Sequence, residues 1–407
     1  MIHAASGHGG LREGQPPALP LAYLPRGEDN SSGGQAWCPE GSLGPLGGHL
    51  VHLSFGAGTA FLVLEDEVAG QLQGAVVPLP VSFRSGSHRG RFHPGDAHLY
   101  VSGMNGWGSY TPDPGCLERV RFVKPAGDAS VQMPIDFHVH DNGILVRFAE
   151  PVDPAVAADP ARQFAQCWNY RYSGGYGSPE FSTRHEGVLG HDHLPIRSCH
   201  ILDDSCSVFY EIPDIEPVNQ LQLCLETAPG RLSDLFVTVN ALDGSFVGGG
   251  VSPRAIPVQP HPIRSDIARL GAREPNPFAK PVDGAREVEI VVGPNLSYLP
   301  REFAASPGEP LAVTLVNPDT VPHNWALATP GSLALVGEAA NRLIADPEAA
   351  ARQYVPKTER VLAFTDIVAS GERQTIYLTA PETPGRYPFL CTFPGHWMVM
   401  NGELVVR

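Results

Sequence analysis

The sequence predicts an all-β chain built from several small sheets. Three observations carry this reading. The 44 glycines and 41 prolines make up about a fifth of the 407 residues and are spread along the chain, where ~12% is average, as befits many short strands joined by tight turns. Apolar residues alternate with polar ones in short runs such as Val288, Ile290 and Val292, the period of a half-buried strand. No run of ~18 apolar residues appears, so no transmembrane helix is expected.

A length of 407 residues, against a prior of ~150 per domain, predicts two to four cores, and three are expected. Acidic residues exceed basic ones to give a net charge of -15. That excludes a nucleic-acid partner, which would be bound through cations on phosphate, and favours a basic protein partner.

Taken in order, residues 1–40 are rich in Gly, Pro and Ser without apolar period and read as an irregular lead-in. Residues 41–128 carry strand-like runs: HLVHLSFG, AFLVLEDE, AVVPLPVSF, HLYVSGM and LERVRFV. The segment GRFHPGDAHLYVSGMNGWGSY, with LERVRF after it, resembles the closing blades of the propeller of glucose and sorbosone dehydrogenases. A closed propeller needs at least four blades of ~40–50 residues, so only a partial propeller-like region is expected.

Residues 129–244 change pattern. Asp141-Asn142-Gly143 is a strong hairpin signal; ILVRFAEPVDP and CHILDDSCSVFYEIPDIEPVNQLQLCLE supply further strands around the Tyr- and Gly-rich loop NYRYSGGYGSPEFS. This part resembles an Ig-like β-sandwich. Residues 245–284 are Pro- and Gly-rich and read as a linker that wraps or docks, with one short helix at Ser265–Leu270.

Residues 285–407 return to alternating strands: EVEIVVG, LAVTLVN, VLAFTDIV, RQTIYLTA, YPFLC and GELVVR. One insertion breaks them, with Asp346 as helix N-cap, Pro347 at the first helical position and Glu348 in the first turn. A mostly antiparallel Greek-key sandwich with one helical excursion is the predicted result.

Chemistry enters at CTFPGHWMVM, Cys391 to Met400. A thiolate, an imidazole and a thioether at this spacing cannot share a helical face, but a Pro-Gly turn after a strand can fold all three toward one point. Two imidazoles, one thiolate and a weak axial thioether select copper and suit one-electron transfer. The second imidazole is offered by VNPDTVPHNWAL, where His323 opens a strand.

These segments resemble azurin and auracyanin over about residues 286–407, through CTFPGH, through His-Asn after a strand, and through azurin's Cys-to-Met spacing. The resemblance implies a cupredoxin fold holding one type 1 copper ion. It makes His323, Cys391 and His396 equatorial ligands and Met400 axial, with Asn324 bracing the ligand loop and hydrogen-bonding toward the sulfur. Pro322 stands where azurin has a glycine whose carbonyl lies near the metal, so no fifth, carbonyl contact is carried over. Trp397 and Met398, with Pro322, are expected to form an apolar docking patch around the His396 edge.

Two other histidine pairs invite a metal reading. His138 and His140 share a strand face, and His191 and His193 flank Asp192. Multicopper oxidases use HxH pairs, but they also carry His-Cys-His, whereas Leu390 and Thr392 flank Cys391; satisfied or solvated histidines are therefore expected. Neither GxSxG, HExxH, a P-loop, GxGxxG nor CxxCH occurs, so no catalytic residue is assigned.

The expected function is a one-electron Cu(II)/Cu(I) carrier that meets a redox protein such as a basic cytochrome. The alternative is the C-terminal part of a quinoprotein-like sugar or alcohol dehydrogenase, whose fused or upstream catalytic domain passes electrons to its own copper domain. A periplasmic or secreted location is expected, within a longer exported protein, although MIHAASGHGGLREG lacks the regions of a signal peptide. Of the seven cysteines, Cys199 and Cys206 flank a hairpin turn and are the one pair close enough to suspect of a disulfide; free thiols are the competing reading.

Overall fold

The computed structural model describes residues 18–407, except 30, 107–109, 124–131, 172–177, 272–273, 344–345, 347–348 and 350. Its elements are β-strands with a few short helices. The all-β prediction holds, and the chain ends in a cupredoxin sandwich. Among the described residues no helix is long and apolar enough to cross a membrane.

The N-terminal unit is organised by one eight-stranded sheet. Its strands run in the order Ser32–Trp37, Leu50–Ser54, Ala60–Val68, Gln71–Pro78, Arg231–Val239, Val218–Ala228, Phe164–Trp168 and Asp192–His193. A four-stranded sheet (Ser198–Ile201, Ser207–Glu211, Gly143–Phe148, Pro134–His140) packs on it. Val139, Val146 and Tyr210 of the smaller sheet share a buried core with Leu62, Leu223 and Val237 of the larger. The run AFLVL has no alternation because both faces of its strand are covered: Leu62 and Leu64 enter that core, while Phe61 and Val63 pack with Ala22, Trp168 and Phe236 on the other side.

Three expectations change here. The boundary at 128/129 falls inside one sheet, since Gln71–Pro78 pairs with Arg231–Val239 through Phe236↔Val76 and Val237↔Ala75. The strands read as a partial propeller therefore extend the sandwich, apart from a three-stranded sheet at Gly86–Phe92, Leu99–Met104 and Gly115–Val120. The lead-in contains the edge strand Ser32–Trp37, paired with Leu50–Ser54. SGGQAW sets no apolar period because none of its residues is buried, and Gly33 runs so close to the Ser87 carbonyl oxygen that a Cβ would not fit. The hairpin at Asp141–Asn142 forms as expected, with His140 opposite Gly143. All seven cysteines are free thiols.

The linker docks at both ends. Arg254 donates to the Asp141 and Ile215 carbonyls and pairs with Glu216. Farther on, Asn276 donates to the Phe364 carbonyl and Asp366. Between them the short helix is Ile263–Gly271, close to its expected place.

The C-terminal sandwich has a four-stranded sheet, Ser297–Leu299, Arg286–Gly293, Pro310–Val316 and Arg373–Thr379. Its five-stranded partner runs Glu302–Ala305, Asn401–Val406, Gly385–Leu390, Ala326–Ala328 and Val361–Phe364. Pairing is antiparallel except where Arg286–Gly293 meets Pro310–Val316 and Glu302–Ala305 meets Asn401–Val406. Ile290, Val313, Trp325, Phe389 and Leu404 fill the space between, in a core that shares no residue with the first.

The helical excursion is Leu333–Arg342, ahead of the expected start at Asp346; Pro347 and Glu348 lie outside the described residues. Ser332 precedes this helix without a capping bond, because its hydroxyl donates to the Thr329 carbonyl. The helix therefore starts at a residue of capping type that makes no cap.

Two disjoint cores predict two unfolding transitions. Leu223 is fully buried, and Leu223→Ala removes packing and leaves a cavity, at a cost of about 2–5 kcal/mol. By calorimetry the variant lowers one transition and leaves the other, assigned to the C-terminal sandwich, in place. A shift of both would show that the cores melt as one.

Candidate metal centre

Strand Gly385–Leu390 delivers Cys391 to the end of the sandwich, where its N–H donates to the Met400 carbonyl (3.0 Å). The returning loop turns at Pro394-Gly395, with Gly395 at φ 89°, a conformation glycine adopts freely. The His396 carbonyl then accepts from the Val399 and Met400 N–H groups. This tight loop brings His396 back over Cys391 and buries Met400 completely. His323 comes from the opposite side, exchanging backbone hydrogen bonds with Val368 (3.2 and 2.7 Å).

The structure thus gathers all four residues singled out in the sequence. His323, Cys391 and His396 each offer a donor atom, all within 4.8 Å of one another. Cys391 Sγ stands 3.9 Å from His323 Nδ1 and 3.6 Å from His396 Nδ1. Metal bonds of about 2.3 Å to sulfur and about 2.0–2.1 Å to nitrogen, opened by roughly 110–120° around one ion, place the donors roughly 3.5–3.8 Å apart. The observed spacing fits a single ion held by all three. His323, Cys391, His396 and Met400 form a type 1 copper-like site.

Electrostatics favour the same use. Burial pulls His396 down to about 4, with His323 adding to the effect, and burial lowers His323 despite its bond to Asp319. Both rings are therefore neutral at neutral pH, with lone pairs to offer. Burial pushes the Cys391 thiol up to about 11, against the opposing pull of the Asn324 and Phe393 backbone groups and Tyr298. A soft cation displaces that proton where neutral solvent cannot.

Residues around the donors fix their aim. His323 Nε2 lies 3.1 Å from Asp319 Oδ2; donating that proton to the carboxylate leaves Nδ1 facing the sulfur. Asp319 is held below its ordinary value by His323 and the Thr320 N–H, although burial pushes it up. Asn324 braces the ligand loop as expected, donating to Thr392 Oγ1 (2.7 Å) and the Gln353 carbonyl (3.0 Å) and accepting from the Thr392 N–H (2.8 Å). Its side chain is spent on those bonds, so the group that hydrogen-bonds toward the sulfur is its backbone.

The loop is also held from outside. Gly395 N–H donates to Asn341 Oδ1 on the helix Leu333–Arg342, and the Trp397 ring lies on that helix so closely that a Cβ at Gly337 would collide with it. Trp397 therefore faces inward instead of forming the expected patch, which leaves Met398 and Val399 exposed at 64% and 52%. Asp319 and Gly337 were missed in the sequence. An Asp four residues before a ligand histidine was the available signal for the first; for the second there was none.

The other histidine pairs separate in character. His191 stacks on Trp168 with ring centroids 4.0 Å apart and meets Glu180, while His193 lies against Phe164; they do not converge.

A β-sandwich presenting a buried thiol, two imidazoles and a thioether at one end defines a cupredoxin, a copper electron-transfer domain. Residues 286–407 match the family of copper binding proteins, plastocyanin/azurin family, and through them the chain belongs to that family. Auracyanin-A of Chloroflexus aurantiacus is 31% identical over 117 residues, covering 28% of this chain and 70% of that protein. Azurin of Pseudomonas denitrificans is 31% identical over 105 residues, covering 23% of this chain and 77% of that protein. Only 52% of auracyanin-B of C. aurantiacus is spanned. The auracyanin A structure aligns at 30% identity over 30% of this chain and 100% of that chain, with a TM-score of 0.27.

If the sulfur supplies the charge-transfer chromophore, Cys391→Ser abolishes intense visible absorption in the copper-treated chain while circular dichroism retains the β signature. Retained colour would remove Cys391 from the ligand set.

Proposed function

We propose that this chain is a one-electron carrier whose redox chemistry is confined to the C-terminal sandwich. The convergence of two neutral imidazole Nδ1 atoms on a buried sulfur carries this reading. In it, His323, Cys391 and His396 hold copper equatorially and Met400 axially, the arrangement of electron-transfer sites. Bound copper would supply a Cu(II)/Cu(I) couple. The protein holds every donor through strand ends and hydrogen bonds, so little has to move when charge changes.

Electrons enter and leave at the His396 edge. His323, Cys391 and Met400 are fully buried, whereas His396 is half-buried and the exposed Met398 and Val399 follow it. An apolar rim of this size suits brief docking over less than ~1,200 Å². The net charge of -15 steers a basic redox protein, a cytochrome among them, toward it at a rate that salt reduces. The dehydrogenase alternative gains no support from the fold, because its supposed blade strands extend a sandwich sheet.

An exported location belongs to this proposal. A relative whose printed name is outer membrane protein H.8, from Neisseria meningitidis, is 42% identical over 60 residues.

Two experiments test the carrier. Met398→Glu leaves the visible spectrum intact, since it touches no ligand, yet sets like charges face to face in a self-exchange encounter. Such a clash costs upward of ~1.4 kcal/mol, a tenfold slowing of self-exchange by NMR line broadening; an unchanged rate would place the exit elsewhere. Met400→Leu keeps the copper and raises the reduction potential, because losing a weak axial donor favours the reduced ion. A constant potential would reduce Met400 to packing.

A further inference from the structure

A second convergence of donors lies in the N-terminal unit, where the sequence alone favoured ordinary histidines. His138 and His140 end strand Pro134–His140, and Asp243 is fixed beside them: its N–H donates to the Val139 carbonyl (3.0 Å) and its carbonyl accepts from the Asp141 N–H (2.9 Å). The three side chains each offer a donor atom, all within 4.8 Å of one another.

Each donor is aimed by a separate partner. His138 Nδ1 meets the buried Asp66 carboxylate at 2.6 Å, and Asp66 is itself held by Gln73 Nε2 (2.8 Å) and the Val139 N–H (3.2 Å). His140 Nδ1 meets the Gly244 carbonyl at 2.8 Å, a bond only a protonated Nδ1 can make. Asp243 Oδ1 accepts from the Gly244 N–H (2.8 Å). What remains is Nε2 of His140, together with Nε2 of His138 and Oδ2 of Asp243, which bond each other at 3.1 Å. A carboxylate or carbonyl behind each imidazole is the support that metal-ligating histidines use.

We propose that His138, His140 and Asp243 form a second metal site, independent of the copper centre, for a borderline divalent ion such as Zn²⁺. Two observations choose the class. Two imidazoles with one carboxylate suit zinc, nickel or cupric ions, whereas calcium and magnesium require oxygen throughout. His138 Nε2 and Asp243 Oδ2 are hydrogen-bonded to each other at 3.1 Å; donors about 2.0–2.1 Å from one ion, separated by roughly 90–110°, lie roughly 2.9–3.4 Å apart, so an ion can replace the shared proton with little movement of either side chain. Solvent completes the shell, since the His138 and Asp243 side chains are 31% and 57% exposed. Asp66 touches no ion and acts as a positioning residue.

The test is calorimetric titration of the full, copper-loaded chain with Zn²⁺. One equivalent binds, and the melting transition of the N-terminal unit rises while that of the copper domain does not, as mass action on a folded-state ligand requires. His140→Ala weakens binding at least tenfold. Asp66→Asn weakens it by about 10–100-fold while leaving all three ligands in place; circular dichroism and His140→Gln guard against misfolding. No binding at millimolar Zn²⁺, an affinity indifferent to both His140 variants, or a shift in the copper-domain transition instead would overturn the site and leave His138 as an ion-paired residue between Asp66 and Asp243.

Discussion

The copper domain depends on keeping three donors desolvated and converged, with both imidazoles unprotonated on the correct atom, before any metal arrives. Burial accomplishes part of this: it lowers both imidazoles and so leaves their lone pairs free. The same burial works against the thiolate, whose proton is held up to about 11. The backbone groups of Asn324 and Phe393 and the Tyr298 side chain oppose that effect without cancelling it. A cation is the missing partner, since it alone compensates a buried thiolate next to two neutral rings.

Every layer around the donors follows from this constraint. Asp319 selects the His323 tautomer. Tyr298 donates to the Asn324 carbonyl, and Asn324 ties the His323 loop to the Cys391 loop through Thr392. Thus two ligands 68 residues apart in sequence are fixed to each other by one side chain. The helix Leu333–Arg342 closes the outside, receiving Trp397 on Gly337 and Gly395 on Asn341. A loop with two exposed apolar residues at its tip is thereby held firmly enough to present the His396 edge in one orientation.

Legibility in the sequence tracked how local each signal was. The donors were readable because three of them lie within one turn-bearing segment, and their chemistry admits few other uses. The sandwich strands were readable where one face is buried, as in Val288, Ile290 and Val292. Reading failed where partners are distant. Nothing in AFLVLEDE states that its strand belongs to the same sheet as Val218–Ala228, so one unit was divided into two. The Asp346-Pro347-Glu348 signature outweighed an uncapped true start at Ser332. The support of His138 by Asp66, 72 residues away, has no trace in the sequence, which is why that pair passed as ordinary.

The linker shows how two separately packed units come to belong to one molecule. Its prolines carry no backbone donor, and specific bonds are made at its ends. Phe246 N–H is taken by Asn142 Oδ1, Arg254 is buried against Glu216, and Phe278 exchanges with the other sandwich, its carbonyl accepting from the Tyr377 N–H and its ring meeting Phe364 edge-on. Arg254 is 3% exposed in its side chain, and removing one partner from such a buried pair leaves an uncompensated charge. Attachment of the segment to the N-terminal unit thus includes a specific ion pair, and its attachment to the copper domain combines the Asn276 hydrogen bonds to the Phe364 carbonyl and Asp366 with packing of Phe278 on Phe364. Electron transfer needs only the second sandwich. The first holds a separate convergence of donors at His138, His140 and Asp243, built on its own strand end and its own hydrogen bonds, so whatever it binds there is independent of the copper centre.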